Sequence, residues 1–208
     1  MAKFTKIPET AFQEIQLNAG VLLSSFTPAS AEVADENIVG ATTGGISFTA
    51  TPSFMDFGED IDNCPKNMKE LKKLDTWDIK MSGTFITVSP KSVASLVAAA
   101  DVAAAKVTPR NDLKDTDFKD LWWVGDYSDK NGETNGGFCA IHMMNALSTG
   151  GLSIKSSDKA KGQFAFEFTA HYSMDTQTTV PFEVYVKAGT EEEEKSDGNR
   201  ETVPAVRR

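Results

Sequence analysis

The sequence predicts a mainly β fold, an antiparallel β-sandwich or barrel with one flanking α-helix. Apolar and polar residues alternate along several segments, turn residues separate these segments, and only one segment has helical spacing. The alternation is clearest in residues 163–172, where every second residue is apolar: Phe164, Phe166, Phe168, Ala170 and Tyr172. A period of two indicates a strand with one buried face.

Five further segments have strand character. Residues 45–50 and 180–187 alternate, and in the second we expect Phe182, Val184 and Val186 to point inward. Residues 121–124 and 138–147 are predominantly apolar. In residues 77–88 the apolar face changes near Gly83, which predicts a bulge or a bend there. Glycine- and asparagine-rich turns between several of these segments indicate an antiparallel meander.

The sequence predicts the flanking helix over residues 90–106. Ser89 can cap the first turn, and Pro90 suits a first helical position. Val93, Leu96 and Val97 then follow at helical spacing and form one apolar stripe. A single helix in a chain of strands is typical of a sandwich or barrel with the helix on its flank.

We predict one domain over residues 1–188, with an N-terminal arm at residues 1–16. An acidic C-terminal tail follows at residues 189–208. The tail has no aromatic residue and too few apolar residues to order itself alone. It is interpreted either as a solvated tail or as an arm that orders against a neighbouring subunit.

Composition restricts the function. The net charge of −9 argues against nucleic-acid binding through phosphate neutralisation, although it suits a surface past which DNA must slide. No secretory signal is visible at the N-terminus, and the longest apolar run is too short to span a bilayer. We therefore expect Cys64 and Cys139 to be free thiols in a reducing cytosol.

No residue pattern indicates an enzyme, a cofactor or a metal site. A catalytic or metal role for His142 or His171 would need a convergent carboxylate or thiol, and Cys139 lies on the opposite face of the strand from His142. The acidic residues 56–62 do not fit the spacing of a calcium-binding loop, and no glycine-rich phosphate loop is present. Trp122 or Trp123 could act as a sugar-stacking platform, although neighbouring strand residues face opposite ways.

The connection at residues 52–76 is the most informative stretch. Connections in compact domains usually have about 4–6 residues, and much longer ones are usually functional or disordered. Acidic residues come first and lysines follow, and the intervening apolar side chains favour burial against a partner. We predict a long assembly loop whose subunit or ring interface contains Phe54, Phe57, Glu59, Asp60, Asp62, Lys66, Lys69, Lys72 and Lys73.

Six segments, in this order, resemble the major tail proteins (tail tube proteins) of long, non-contractile-tailed bacteriophages, especially those infecting Gram-positive hosts. They are LNAGVLLSSF (17–26), GGISFTATPSFMDFGEDIDNCPKNMKEL (44–71), WDIKMSGTF (77–85), VTPRNDLKDTDFKDLWWVGDYSD (107–129), GGFCAIHMMNALSTGGLSI (136–154) and GQFAFEFTAHYSM (162–174). The resemblance covers roughly residues 15–188 and rests on the number and order of the segments.

The resemblance implies a tail-tube-like structural protein of the virion, made in the cytoplasm of the host bacterium. Such proteins form rings, expected to be hexameric, that stack into a hollow tube for DNA ejection. Their implied partners are further copies, the tape measure protein in the lumen, the tail terminator and the distal tail protein. DNA passes without specific binding, no membrane is involved, and no catalytic residue is carried over.

Two other functions remain open. One is a monomeric β-sandwich that binds carbohydrate through Trp122 or Trp123. The other is a different tube-forming or particle component, such as a contractile-tail tube, a secretion tube or a head–tail joining protein.

Overall fold

The computed structural model describes residues 7–8, 11, 14–127 and 136–188. The predicted mainly β fold with one flanking helix is confirmed. Most of the predicted N-terminal arm, residues 1–16, and all of the tail, residues 189–208, lie outside the described residues. The elements are β1 Gln16–Leu23, β2 Thr42–Asp56, β3 Lys72–Phe85, α1 Pro90–Val97, β4 Ala100–Ala103, β5 Lys106–Pro109, β6 Lys119–Tyr127, β7 Gly137–Ser148, β8 Ser153–Lys155, β9 Gln163–Thr169 and β10 Phe182–Lys187.

Eight strands form two antiparallel layers that share β7. In one layer the order is β1-β6-β7-β10, and in the other it is β2-β3-β9, with the short β8 on the far side of β9. The N-terminal part of β7 pairs with β6 and β10, whereas Leu147 and Ser148 at its end pair with β9. β4 and β5 form a separate hairpin.

The main core is made of apolar residues from both layers and from α1. It contains Leu22, Ile79, Met81, Phe85, Leu96, Leu121, Met143, Ala146, Phe166, Phe168 and Ala170. A second cluster covers the opposite face of β6 and β7 and contains Leu23, Phe26, Trp122, Val124, Phe138 and Ala140. The first layer is therefore apolar on both faces, which explains why residues 121–124 and 138–147 do not alternate.

The predicted helix at residues 90–106 is wrong in its length, because α1 ends at Val97. Ala98 has φ 72°, which stops the helix, and the following alanine-rich residues form the β4–β5 hairpin. Arg110 holds this hairpin, since its guanidinium lies 3.0 Å from Asp101 and 2.6 Å from Asp117. Tertiary contacts therefore override the helix propensity of alanine.

Two strand predictions also need correction. Val184 and Val186 were expected to point inward, but both are exposed, because β10 extends past the region that the second layer covers; only Phe182 reaches the main core. The irregularity predicted near Gly83 is present, but its extra residues lie in the partner strand: the β2–β3 register shifts between Thr43 and Ile46, which pair with Thr84 and Gly83.

Candidate functional site

The connection at residues 52–76 is a projecting hairpin rather than a loop. β2 and β3 stay paired into it, with Phe54 opposite Leu74 and Asp56 opposite Lys72. The predicted loop was therefore too long, because strand pairing satisfies the backbone groups at both of its ends. We call residues 52–56 and 72–76 the flap stem, residues 57–71 the flap tip, and both together the flap.

Asp56 anchors the flap tip. Its carboxylate accepts the backbone N–H groups of Gly58 and Asn67, both at 2.9 Å. The hydrogen bond from Gly58, followed by that from Asn67, lowers the pKa of Asp56 below its usual value. The Phe57 N–H donates to the Leu71 carbonyl at 3.0 Å and closes the base of the tip. These contacts tie both ends of the tip to the stem.

Two lysines lie over the aromatic rings of the flap. Lys72 Nζ is 5.0 Å from the centre of the Phe54 ring, and Lys73 Nζ is 5.6 Å from that of Phe57. A cation over a ring face is attracted to it. Of the predicted interface residues, the structure thus brings together two pairs, each joining the two strands of the hairpin.

The flap exposes a large share of the protein's apolar side chains. Its exposed members are Phe54, Met55, Phe57, Ile61, Met68 and Leu74, with exposed fractions between 39% and 54%. Monomeric soluble proteins rarely leave such side chains clustered, and a cluster rimmed by polar groups usually marks an interaction site. Ordering of the tip keeps these groups in place for a partner.

Most charged residues of the flap tip form no ion pair within the described residues. Among the described residues, no ion pair involves Glu59, Asp60, Asp62 or Lys66, and Lys69 pairs only with its exposed neighbour Glu70 at 3.5 Å. Acidic and basic residues follow each other in sequence, but the hairpin folds them side by side. The charges of Lys72 and Lys66, for example, both lower the pKa of Asp56.

A cleft that the sequence did not predict opens at the other end of the β2–β3 hairpin. It has a volume of about 360 Å³, within the range of small binding sites. The residues before β2, the first half of α1 and the start of β6 form its walls, and Leu121 and Phe168 lie at its base. The helix cap at Ser89 is the one part of the cleft that the sequence indicated, because the cleft is formed by segments that are distant in the chain.

Ser89 and Ser92 position the wall that α1 contributes to the cleft. The Ser92 N–H donates to Ser89 Oγ at 3.1 Å, and the Ser89 N–H donates to Ser92 Oγ at 2.8 Å. Leu96 is buried in the main core, and its carbonyl accepts the hydroxyl of Ser148 at 2.8 Å. The short helix is therefore fixed at both ends.

The two tryptophans considered as a sugar-stacking platform both make contacts within the protomer. Trp122 is 8% exposed, and its ring stacks on His142 with centroids 4.0 Å apart. Trp123 is half-buried, and its indole N–H donates to the Ala19 carbonyl at 3.0 Å. His142 Nε2 lies 3.1 Å from an Asp120 carboxylate oxygen, so its ring joins two strands.

The other sequence candidates lie apart from one another. Cys64 in the flap tip and Cys139 in β7 are both free thiols, and partial burial raises the pKa of Cys139. Within the described ranges, no group of three or more His, Cys, Asp or Glu residues is arranged to hold a metal ion.

In the part of the chain that the structure describes, no helix is long and apolar enough to cross a membrane. No protein-family profile matches this chain, and a search of curated proteins found no match.

Proposed function

We propose that this protein is a structural protein that assembles with copies of itself into stacked rings, forming the tail tube of a long-tailed bacteriophage. The rings are expected to be hexameric, and the tube conducts DNA during ejection. The tape measure, tail terminator and distal tail proteins are its further expected partners.

The flap is the observation that carries this proposal. It is tied at its base by Asp56, yet it exposes Phe54, Phe57 and Ile61. Because these side chains are only about half exposed, burying each one contributes about half of the 1.5–3 kcal/mol of a fully exposed side chain, which favours association.

The strand edges add support. Within the described part of the chain, β2 and β10 each pair along one edge only. Their free edges can accept a strand from another chain. The exposed Val184 and Val186 lie on β10 itself, so association there also buries apolar surface.

Negative-stain electron microscopy of the purified protein tests the proposal. Rings or tubes of uniform diameter are expected at high concentration. A protein that remains a monomer of 22.5 kDa under all conditions contradicts the proposal, and glycan binding by that monomer supports the carbohydrate alternative.

A flap variant gives the sharper test. Replacing residues 57–71 by Asn-Gly joins the paired Asp56 and Lys72 through a two-residue turn, so the stem register is kept. We expect a folded protein that does not form tubes. The matched control replaces residues 156–162, between the paired Lys155 and Gln163, in the same way. Tubes from this variant exclude the flap tip from assembly.

A further inference from the structure

We infer that the cleft beside α1 is the acceptor site for the flap tip of a second copy of this chain. This inference rests on the proposed function, because it names the partner surface of the flap. We call this cleft the socket. Its lining includes the apolar residues Ile38, Val39, Leu121 and Phe168 and the charged residues Glu36, Lys91, Lys119 and Asp120.

The socket combines an apolar base with unpaired cations. Leu121 and Phe168 lie at the base, and Ile38 is an exposed apolar side chain in the wall. Lys91 and Lys119 are both exposed, and neither forms an ion pair within residues 14–127 and 136–188. Of the two carboxylates at the socket, Asp120 accepts the Asn145 N–H and lies 3.1 Å from His142 Nε2. Glu36 is then the one carboxylate that offsets the two lysines, and the site suits a ligand with apolar groups beside carboxylates.

The flap tip has that chemistry. Phe57 and Ile61 are about half exposed. Glu59, Asp60 and Asp62 lie between and beside them, without an ion pair among the described residues. The apolar side chains can enter the socket while the carboxylates reach its lysines. Such opposite charges guide the approach and fix the orientation of the contact.

The distance between the socket and the flap tip excludes the chain's own flap as the occupant, so the occupant is another molecule. The socket lies beside the start of β2, and the flap tip follows its end. β2 has 15 residues, and a strand rises about 3.3 Å per residue, so the two sites are roughly 45 Å apart. A flap therefore cannot reach its own socket. Two different surfaces at opposite ends give a head-to-tail contact that repeats without closing a dimer.

Site-directed cross-linking tests the contact in the full chain. Cys64 supplies the thiol in the flap tip. Lys91→Cys or Lys119→Cys supplies one in the socket, in a Cys139→Ser background, and a short bis-maleimide joins the two. Because each copy carries both thiols and the contact repeats, we expect a ladder of covalent oligomers that starts with the dimer and disappears with Cys64→Ser. The control is Lys155→Cys, an exposed position on β8. If neither socket variant exceeds this control, the inference is wrong.

Charge exchange tests the same contact without cysteines. Lys91→Glu with Lys119→Glu should raise the concentration needed for assembly about tenfold. Reversing Glu59, Asp60 and Asp62 to lysine should do the same. Mixing the two variants gives opposite charges in both mixed flap–socket contacts, whereas each variant alone places like charges together. The variants should therefore assemble with each other more readily than with themselves. Failure to pair overturns the inference.

The two proposals fail separately. If the wild-type protein forms tubes but no socket cross-link appears, the tail-tube proposal stands and the socket is wrong. If the cross-link forms but only short aggregates are seen, the flap–socket contact stands and the tail-tube proposal is wrong. A small molecule that fills the socket and leaves assembly unchanged also contradicts the inference.

Discussion

Gly83 lies in β3 against the ring of Phe166. A Cβ atom at this position would be 2.7 Å from Cζ of Phe166. That ring cannot move aside easily, because it is 3% exposed and stacks on Phe85 with centroids 4.3 Å apart. Gly83→Ala should therefore lower the free energy of unfolding by about 1–3 kcal/mol, measured by urea denaturation.

Gly162 gives the matched control for Gly83. A Cβ atom there would meet only Phe164, at an ordinary contact distance of 3.6 Å. Gly162→Ala should leave the stability unchanged or raise it slightly, because it reduces the freedom of the unfolded chain. Equal effects of the two substitutions would show that the Phe166 ring yields.

Asp56 makes the flap tip sensitive to acid. Its lowered pKa means that its contribution to the order of the tip is present above the ordinary Asp value of about 3.9 and is lost as pH falls through its folded-state pKa. We expect the amide resonances of Gly58 and Asn67 to shift toward unfolded values in that range. Asp56→Ala should produce the same change at neutral pH, whereas Asp62→Ala should not.

The cap of α1 has a measurable effect on stability. Ser89→Ala removes the hydroxyl that accepts the Ser92 N–H and should lower the unfolding free energy by about 1 kcal/mol. Ser89→Gly should cost only a few tenths of this amount. If the two variants have the same stability, the cap does not stabilise the helix.

The same helix shows how far sequence reasoning reaches. Ser89 and Pro90 predicted its start, because capping is a local interaction. Its end depends on Arg110, whose partners Asp101 and Asp117 lie in separate segments. β9 was predicted from the difference between its two faces, but the predicted strand over residues 163–172 was three residues too long, because β9 ends at Thr169. The exposure of Val184 in β10 was not predicted, because burial at this position depends on whether the second layer extends that far.

The candidate functional site also has one part that the sequence predicted and one part that it did not. The flap was predicted as a site because its length and charge are visible in the sequence, although its strand pairing is not. The socket was missed, since Ile38, Lys91 and Leu121 converge only when three elements pack together. A single sequence shows no sign of that convergence.

Assembly of the whole molecule should depend on salt. Exposed charges are screened over about 10 Å at 0.1 M ionic strength, so contacts between flap carboxylates and socket lysines weaken as salt is added. The concentration needed for tubes, measured by sedimentation, should rise with sodium chloride. Glu59→Gln with Asp60→Asn and Asp62→Asn should flatten this dependence. A variant as salt-sensitive as the wild type would exclude these carboxylates.

The sharing of β7 between the two layers has a consequence for unfolding. Its first part is bonded to β6 and β10, and its end to β9, so neither layer can melt without disturbing the other. The isolated protomer should therefore show a single calorimetric transition whose calorimetric and van't Hoff enthalpies agree. Two transitions would mean that the layers unfold independently. A protomer that unfolds only as a whole can carry load in an assembly without partial melting.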